Sequence, residues 1–274
     1  MRLRLFALLT ICGFLIFALT LTFVPLLPMW ANYAARIGFL VVFGALWLAA
    51  RDGHKLSRFR PVFFAYFTAV VGLSLGFFLA DKGLELLGLT THTPMGIAVA
   101  KFLQASLIVI GILVVAKLCG QDLASLYIRK GRLILGLGVG LVAAAALVVL
   151  SMHQPAVTAL GTAKLMALAP WIVLFVVPNA FMEELLFRGL FLGRYEPLIG
   201  KWLAIFSTAL AFTLAHMQVT YAAGMPGFLL VTFGFAIAWA WLMQKSGSLW
   251  GSVLFHAGAY MLIIVPIFAS LGAV

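Results

Sequence analysis

The sequence predicts an all-α polytopic membrane bundle of about eight to nine transmembrane helices with the active site inside the bundle. Three observations predict it. Hydrophobic residues make up 65% of the 274-residue chain and charged residues only 9%, whereas a soluble domain carries about 25% charged residues. Apolar runs recur at lengths that cross ~30 Å of hydrocarbon, which takes about 20 residues in a helix. Basic residues cluster on alternate connections between those runs.

The runs fall at 5 to 27, 31 to 50, 61 to 80, 97 to 118, 133 to 152, 168 to 195, 201 to 220, 225 to 243 and 249 to 271. Lipid offers no water to unpaired backbone groups, so a spanning segment is a helix unless it closes a barrel. The period-2 alternation of a barrel strand is absent, and helices follow. The first run, behind Arg2 and Arg4, exceeds the usual 7 to 15 residues of a signal-peptide core, about half its length. It reads as a retained helix. Pro178 should kink the sixth run, because proline removes a backbone donor. The longest polar connection, 81 to 96, reads as an external loop with a short amphipathic turn.

Charge placement orients the bundle. Arg2, Arg4, Arg51, Lys55, Arg58, Arg60, Arg129, Lys130, Arg132, Arg194, Lys201 and Lys245 all fall on one side, against Lys82 and Lys164 on the other, 12 to 2. The positive-inside rule then places the N-terminus in the cytoplasm and the C-terminus outside. Topology explains the net charge of +11, and nucleic acid is not expected as a partner. Cys12 and Cys119 stand in or beside apolar runs and supply no disulfide framework.

The expected organisation is a set of N-terminal transmembrane helices over 1–160, a functional core over 165–262, and the end of the last helix at 263–274. Nearly all polar groups at membrane depth lie in the second part. Gly72-Leu73-Ser74-Leu75-Gly76 matches the nucleophile-elbow pattern, but that motif needs a strand-to-helix turn and here sits within an apolar helix. Gly136, Gly138 and Gly140 have no strand before them, so they read as helix-packing glycines. His54, His92 and His153 fall near water.

An ionisable group at the bilayer centre costs ~2.5 to 3.5 kcal/mol on insertion scales and marks a functional site by default. Five of the seven acidic residues lie in connections, while Glu183 and Glu184 lie inside the sixth run. His216 and His256 are the histidines well inside predicted spans. At 1.5 Å per residue they stand ~22 Å and ~12 Å from the cytoplasmic ends of their helices and Glu183 ~18 Å, so a shared site is geometrically allowed. Glu184 and Arg188, at i and i+4, share a face and can pair. Glu183 points ~100° away from that pair, and partial desolvation of a carboxylate favours its protonated form, which suits a general base. Asn179, one turn earlier, could orient it.

At membrane depth there is no His-Glu-x-x-His zinc motif, no mid-span Asp, and no Ser–His pair in a recognisable elbow, so the Glu183–Glu184 pair and the two histidines are the acid–base groups present.

Glu183-Glu184-Leu185-Leu186-Phe187-Arg188 resembles the EExxxR signature of the CAAX protease and bacteriocin-processing (Abi) family of intramembrane glutamic endopeptidases. Phe212 to His216 resembles its FxxxH motif, and Ser248-Leu249-Trp250-Gly251-Ser252 leading to His256 resembles its third. The resemblance covers 165 to 262. It implies a hydrolase without metal or other cofactor, in which Glu183 activates the attacking water with help from His216, His256 stabilises the oxyanion, and Glu184 and Arg188 hold the site. Tyr260 stands where the family usually has Asn, as a second oxyanion donor. The partners implied are the bilayer and a peptide or membrane-protein substrate, in the plasma (inner) membrane of a prokaryote. Two other readings stay open: Glu183, His216 and His256 as metal ligands of a metal-dependent membrane protease, or a non-catalytic scaffold or bacteriocin-immunity protein on the same fold.

Overall fold

The computed structural model describes residues 1–20, 27–219 and 224–271. Its helices are α1 (Arg2–Thr20), α2 (Met29–Ala49), α3 (Arg60–Leu86), α4 (Pro94–Leu118), α5 (Leu133–Met152), α6 (Pro155–Leu160), α7 (Thr162–Glu183), α8 (Leu192–Ile199), α9 (Lys201–Ala215), α10 (Met225–Ser246) and α11 (Trp250–Leu271). A π-helical turn, Glu184–Gly189, joins α7 towards α8. No strand occurs among the described residues, and the all-α expectation holds.

Eight spans are long and apolar enough to cross a membrane, and α7 to α8 counts as one of them, over Thr162–Ile199. The expected run at 201 to 220 gives a shorter helix, α9, of 15 residues, or ~22 Å at 1.5 Å per residue. The ends of two expected runs, at 21–26 and 220, lie outside the described residues, as do 272–274 of the expected last helix end.

Several expectations are corrected. The connection expected at 81 to 96 is shorter, because α3 stays helical to Leu86 and α4 starts at Pro94. Pro170 and Pro178 both lie inside a continuous α7. The α-helical pattern gives way at Glu184, and the Leu190 N–H donates to Leu185 O at 2.9 Å, five residues back. Arg194, expected as a solvated flanking charge, is buried. Its guanidinium donates to Leu190 O at 2.8 Å and to Gln121 Oε1 at 3.4 Å, so local acceptors replace water.

The chain forms two compact units. The first comprises Met1–Ser74, Ile110–Leu126 and Leu185–Trp241; the second comprises Leu75–Val109, Tyr127–Glu184 and Leu242–Val274. In the first, α1 packs on α9 and α8. Thr10 Oγ1 donates to Ser207 Oγ at 2.9 Å, and the Tyr66 and Tyr195 hydroxyls meet at 2.8 Å. Arg36 is fully buried in the same unit. Its guanidinium donates to Asn32 Oδ1 at 2.8 Å, Leu73 O at 3.1 Å and Thr20 O at 2.6 Å. A cation inside a span is tolerated when neighbouring carbonyls replace its hydration, and Thr20 O is an end-of-helix carbonyl that needs a donor.

In the second unit α11 packs chiefly on α5, and small residues explain the closeness. A Cβ on Gly140 would collide with the Gly251 carbonyl, one on Gly251 with Gly136, and one on Gly258 with Ala144. Small-xxx-small spacing lets helix backbones approach in this way. Gly138 meets nothing within 4 Å, so only two of the three glycines expected to pack do so. α11 is tied to the segments flanking α5 at its start and at its middle. At its start, Leu249 N–H donates to Tyr127 O at 3.0 Å, Ser248 Oγ to Arg129 O at 2.7 Å and Arg129 Nε to Gly247 O at 2.6 Å. Farther along, Ser151 Oγ donates to Met261 O at 2.7 Å and Gln154 Nε2 to Leu262 O at 3.0 Å.

Candidate active site

The seating of α11 fixes the depth of His256, and α7 brings its last residues to meet it. His256 Nδ1 lies 2.8 Å from Glu184 Oε1, and its Nε2 lies 3.4 Å from Glu183 Oε2. The three side chains are sealed from solvent, at 3%, 0% and 1% exposure for His256, Glu184 and Glu183. A carboxylate can only accept, so Nδ1 carries a proton and Glu184 sets the ring's tautomer and orientation. In the neutral ring Nε2 would then present a lone pair to Glu183. Nε2 and Glu183 Oε2 face each other across the remaining gap. At 3.4 Å that gap is longer than a good hydrogen bond.

Tyr260 completes this cluster. Its ring stacks parallel on His256, with centroids 4.9 Å apart and an interplanar angle of 4°, and it meets Phe175 of α7 edge-on at 5.9 Å. Ser252, His256 and Tyr260 recur at i, i+4 and i+8 along α11, and all three are buried. Asn179 is buried one turn before Glu183, and its Oδ1 meets no hydrogen-bond partner among the described residues.

Beside the cluster lies an apolar cleft of about 620 Å³, within the second unit. Ala105 and Val109 of α4 form one wall, Pro178 and Phe181 of α7 another, and Val253 and Leu254 of α11 a third. Pro178, expected to kink its helix, thus forms part of the cleft wall. Phe181 packs on Trp250 at 5.6 Å between ring centroids.

His216 and Arg188 belong to the first unit. His216 lies just past the end of α9, in a short 3₁₀ turn His216–Gln218, rather than within a helix as expected. Its Nδ1 is 2.8 Å from Phe212 O; a carbonyl accepts, so Nδ1 holds the proton there too. Its ring packs on Phe212 at 4.4 Å. Arg188 is fully buried, with its guanidinium over the rings of Phe212 at 4.3 Å and Trp239 at 5.3 Å. Aromatic faces stabilise a desolvated guanidinium. The spacing Phe212-x-x-x-His216 therefore places one ring against both the histidine and the arginine, a part for Phe212 that sequence reasoning left unassigned.

Among the described residues no group of three or more His, Cys, Asp or Glu side chains is placed to hold a metal ion.

Residues 165–262 match the family model described as Type II CAAX prenyl endopeptidase Rce1-like. The span coincides with the one over which the three sequence motifs run. No curated protein and no solved structure matches the chain.

Proposed function

We propose, from the membership of residues 165–262 in the CAAX protease and bacteriocin-processing family, that this multi-pass membrane protein is an endopeptidase hydrolysing a peptide bond of a membrane-associated peptide or protein with water activated by Glu183. The observation that carries the reading is His256 set between two consecutive buried carboxylates, bonded to Glu184 and 3.4 Å from Glu183.

The chemistry follows from that arrangement. Glu183 accepts a proton from water as the water oxygen bonds to the carbonyl carbon. The carbonyl oxygen takes up the electron pair and meets the Nε2–H of His256, whose charge Glu184 supports from the far side of the ring. A hydrogen-bond donor aimed at a developing oxyanion is worth ~2.7 to 4 kcal/mol in studied cases. The C–N bond then breaks, and the Glu183 carboxyl returns its proton to the leaving amine. General-base assistance contributes about 10²- to 10⁴-fold, and the buried setting strengthens each interaction. The apolar cleft beside Glu183 favours a substrate that brings its own apolar segment.

The test is cleavage of membrane-embedded fluorogenic peptides by the purified full chain, with Glu183→Gln as the comparison. Loss of cleavage in Glu183→Gln supports the reading, and equal rates overturn it. Mass spectrometry of proteins trapped by Glu183→Gln in native membranes then identifies the substrate. Tyr260, standing where the family usually has Asn, favours a second reading, a binding scaffold; a wild type that captures a partner without cutting it would establish that instead.

A further inference from the structure

α7 turns one stripe towards α11. Phe175, Asn179 and Glu183 recur at i, i+4 and i+8, so they share a face. The outer two meet α11 in the antiparallel sense: Phe175 meets the Tyr260 ring edge-on at 5.9 Å, and Glu183 Oε2 lies 3.4 Å from Nε2 of His256, one turn back along α11. Asn179 stands on the stripe midway between those two contacts and is only 1% exposed.

Two oxygens on this stripe are buried acceptors. Among the described residues neither Asn179 Oδ1 nor Glu183 Oε2 makes a hydrogen bond. A buried acceptor left unsatisfied carries its full desolvation cost, and native proteins meet such groups with a protein donor or with ordered water. The two oxygens do not satisfy each other, because an amide oxygen and a carboxylate oxygen both accept. One turn apart, the two side chains leave the helix about 5–6 Å from each other at Cβ. A water has two O–H donors, and with bonds of about 2.8 Å it links acceptors about 4.5 Å apart.

We infer that Asn179 and Glu183 form the seat of the nucleophilic water, which donates one O–H to Glu183 Oε2 and the other to Asn179 Oδ1. The inference rests on the proteolytic reading for its catalytic consequence, but the water seat can be read without catalysis. With both hydrogens held by protein, the lone pairs of the water oxygen are what meets a carbonyl carbon. In the attack the O–H aimed at Glu183 breaks, and its proton passes to the carboxylate. The O–H aimed at Asn179 stays intact, one lone pair becomes the new C–O bond, and the carbonyl π pair moves onto its own oxygen. Glu183 thus removes the proton, and Asn179 sets the direction of attack. A neutral amide suits that part, since an acceptor basic enough to take the proton would compete with Glu183.

The experiment compares the wild type with Asn179→Leu, which keeps the side-chain volume and removes the acceptor, as detergent-solubilised full chains. Should Asn179→Leu fail to fold, Asn179→Ala, a substitution to the best helix former, carries the comparison. A high-resolution experimental structure of the wild type is expected to hold a water within about 3.2 Å of both Asn179 Oδ1 and Glu183 Oε2, and the variant to lose it. In the cleavage assay the variant should lower kcat about ten- to a hundredfold, the scale of a misplaced reactant, with KM little changed because Asn179 touches the water and not the peptide. Asn179→Leu should nevertheless melt at or above the wild type, since it replaces a buried acceptor by an apolar group of similar shape. A water bonded to one of the two oxygens alone, or to neither, overturns the inference. So does wild-type kcat in the variant, or a loss of kcat in Asn179→Leu that comes with a lower melting temperature, and the proteolytic reading survives each of these results. A wild type that cleaves nothing yet holds the bridging water sinks the proteolytic reading and keeps the seat.

Discussion

His256 is bonded through Nδ1 to Glu184 at 2.8 Å while its Nε2 stands 3.4 Å from Glu183, so adjacent residues of one chain segment address opposite nitrogens of one ring. The two carboxylates are therefore not equivalent. One holds the imidazole at hydrogen-bond distance, and the other stands farther off, at the opposite nitrogen.

The first prediction separates them. Glu183→Gln should lower cleavage at least about 10²-fold, the scale of a lost general base, with little loss of thermal stability. Glu184→Gln should lower both, because it exchanges a charged acceptor for a neutral one under a buried N–H, where hydrogen bonds to charged groups contribute about 1.5 to 3 kcal/mol. Melting curves measured beside cleavage rates decide, and equal stability losses would mean the two roles are assigned wrongly.

Tyr260 offers a second handle. Tyr260→Phe keeps the ring that stacks on His256 and removes only the hydroxyl. Turnover is expected to fall about ten- to a hundredfold, as for a weakened oxyanion donor, while Tyr260→Asn should keep activity and admit a broader set of peptides. Wild-type turnover in Tyr260→Phe would reduce the residue to a packing platform for the imidazole.

A third prediction concerns the glycines under α11. Gly140→Ala forces a methyl into the Gly251 carbonyl and should cost about 1 to 3 kcal/mol of stability, the usual price of overpacking, with cleavage falling as His256 is displaced. Gly138→Ala, two residues away and facing open space, should be close to neutral, within about 0.5 kcal/mol. Similar melting losses for both would remove the packing argument.

The fourth is topology. Reporter fusions at residues 55, 90, 125 and 160 should alternate inside, outside, inside, outside, as the 12 to 2 distribution of basic residues requires. Two neighbouring fusions on one side would break the expected order of spans.

Much of this was legible in the sequence because lipid is a strict solvent. Apolar length marked the helices, and the insertion cost of Glu183, Glu184 and His256 singled out, before any geometry, three residues that the structure brings together. What escaped notice was what hydropathy does not measure. The apolar run through 201 to 220 gives no sign that α9 ends at Ala215 and leaves His216 on a turn. Arg194 stands beside a connection like any flanking cation, and only the carbonyls around it reveal that it is buried. Gly138 and Gly140 look alike in the sequence; the carbonyl that separates them belongs to Gly251, more than a hundred residues away.

The π turn at Glu184–Gly189 has a consequence in winding. An α-helix advances ~100° per residue, and a turn closed five residues back takes in about one residue more than the α pattern does. Within the first unit that closure sets the register between Leu185, whose carbonyl receives the Leu190 N–H, and α8, whose Arg194 donates back to Leu190 O. Removing one residue between Leu185 and Gly189 would leave the composition and hydropathy of the span nearly intact, abolish the five-residue closure and turn α8 by roughly 100° relative to Leu185. The segment is thus less tolerant of a change in length than of most changes in residue type, and a one-residue deletion there would turn Arg194 away from the Gln121 that receives it.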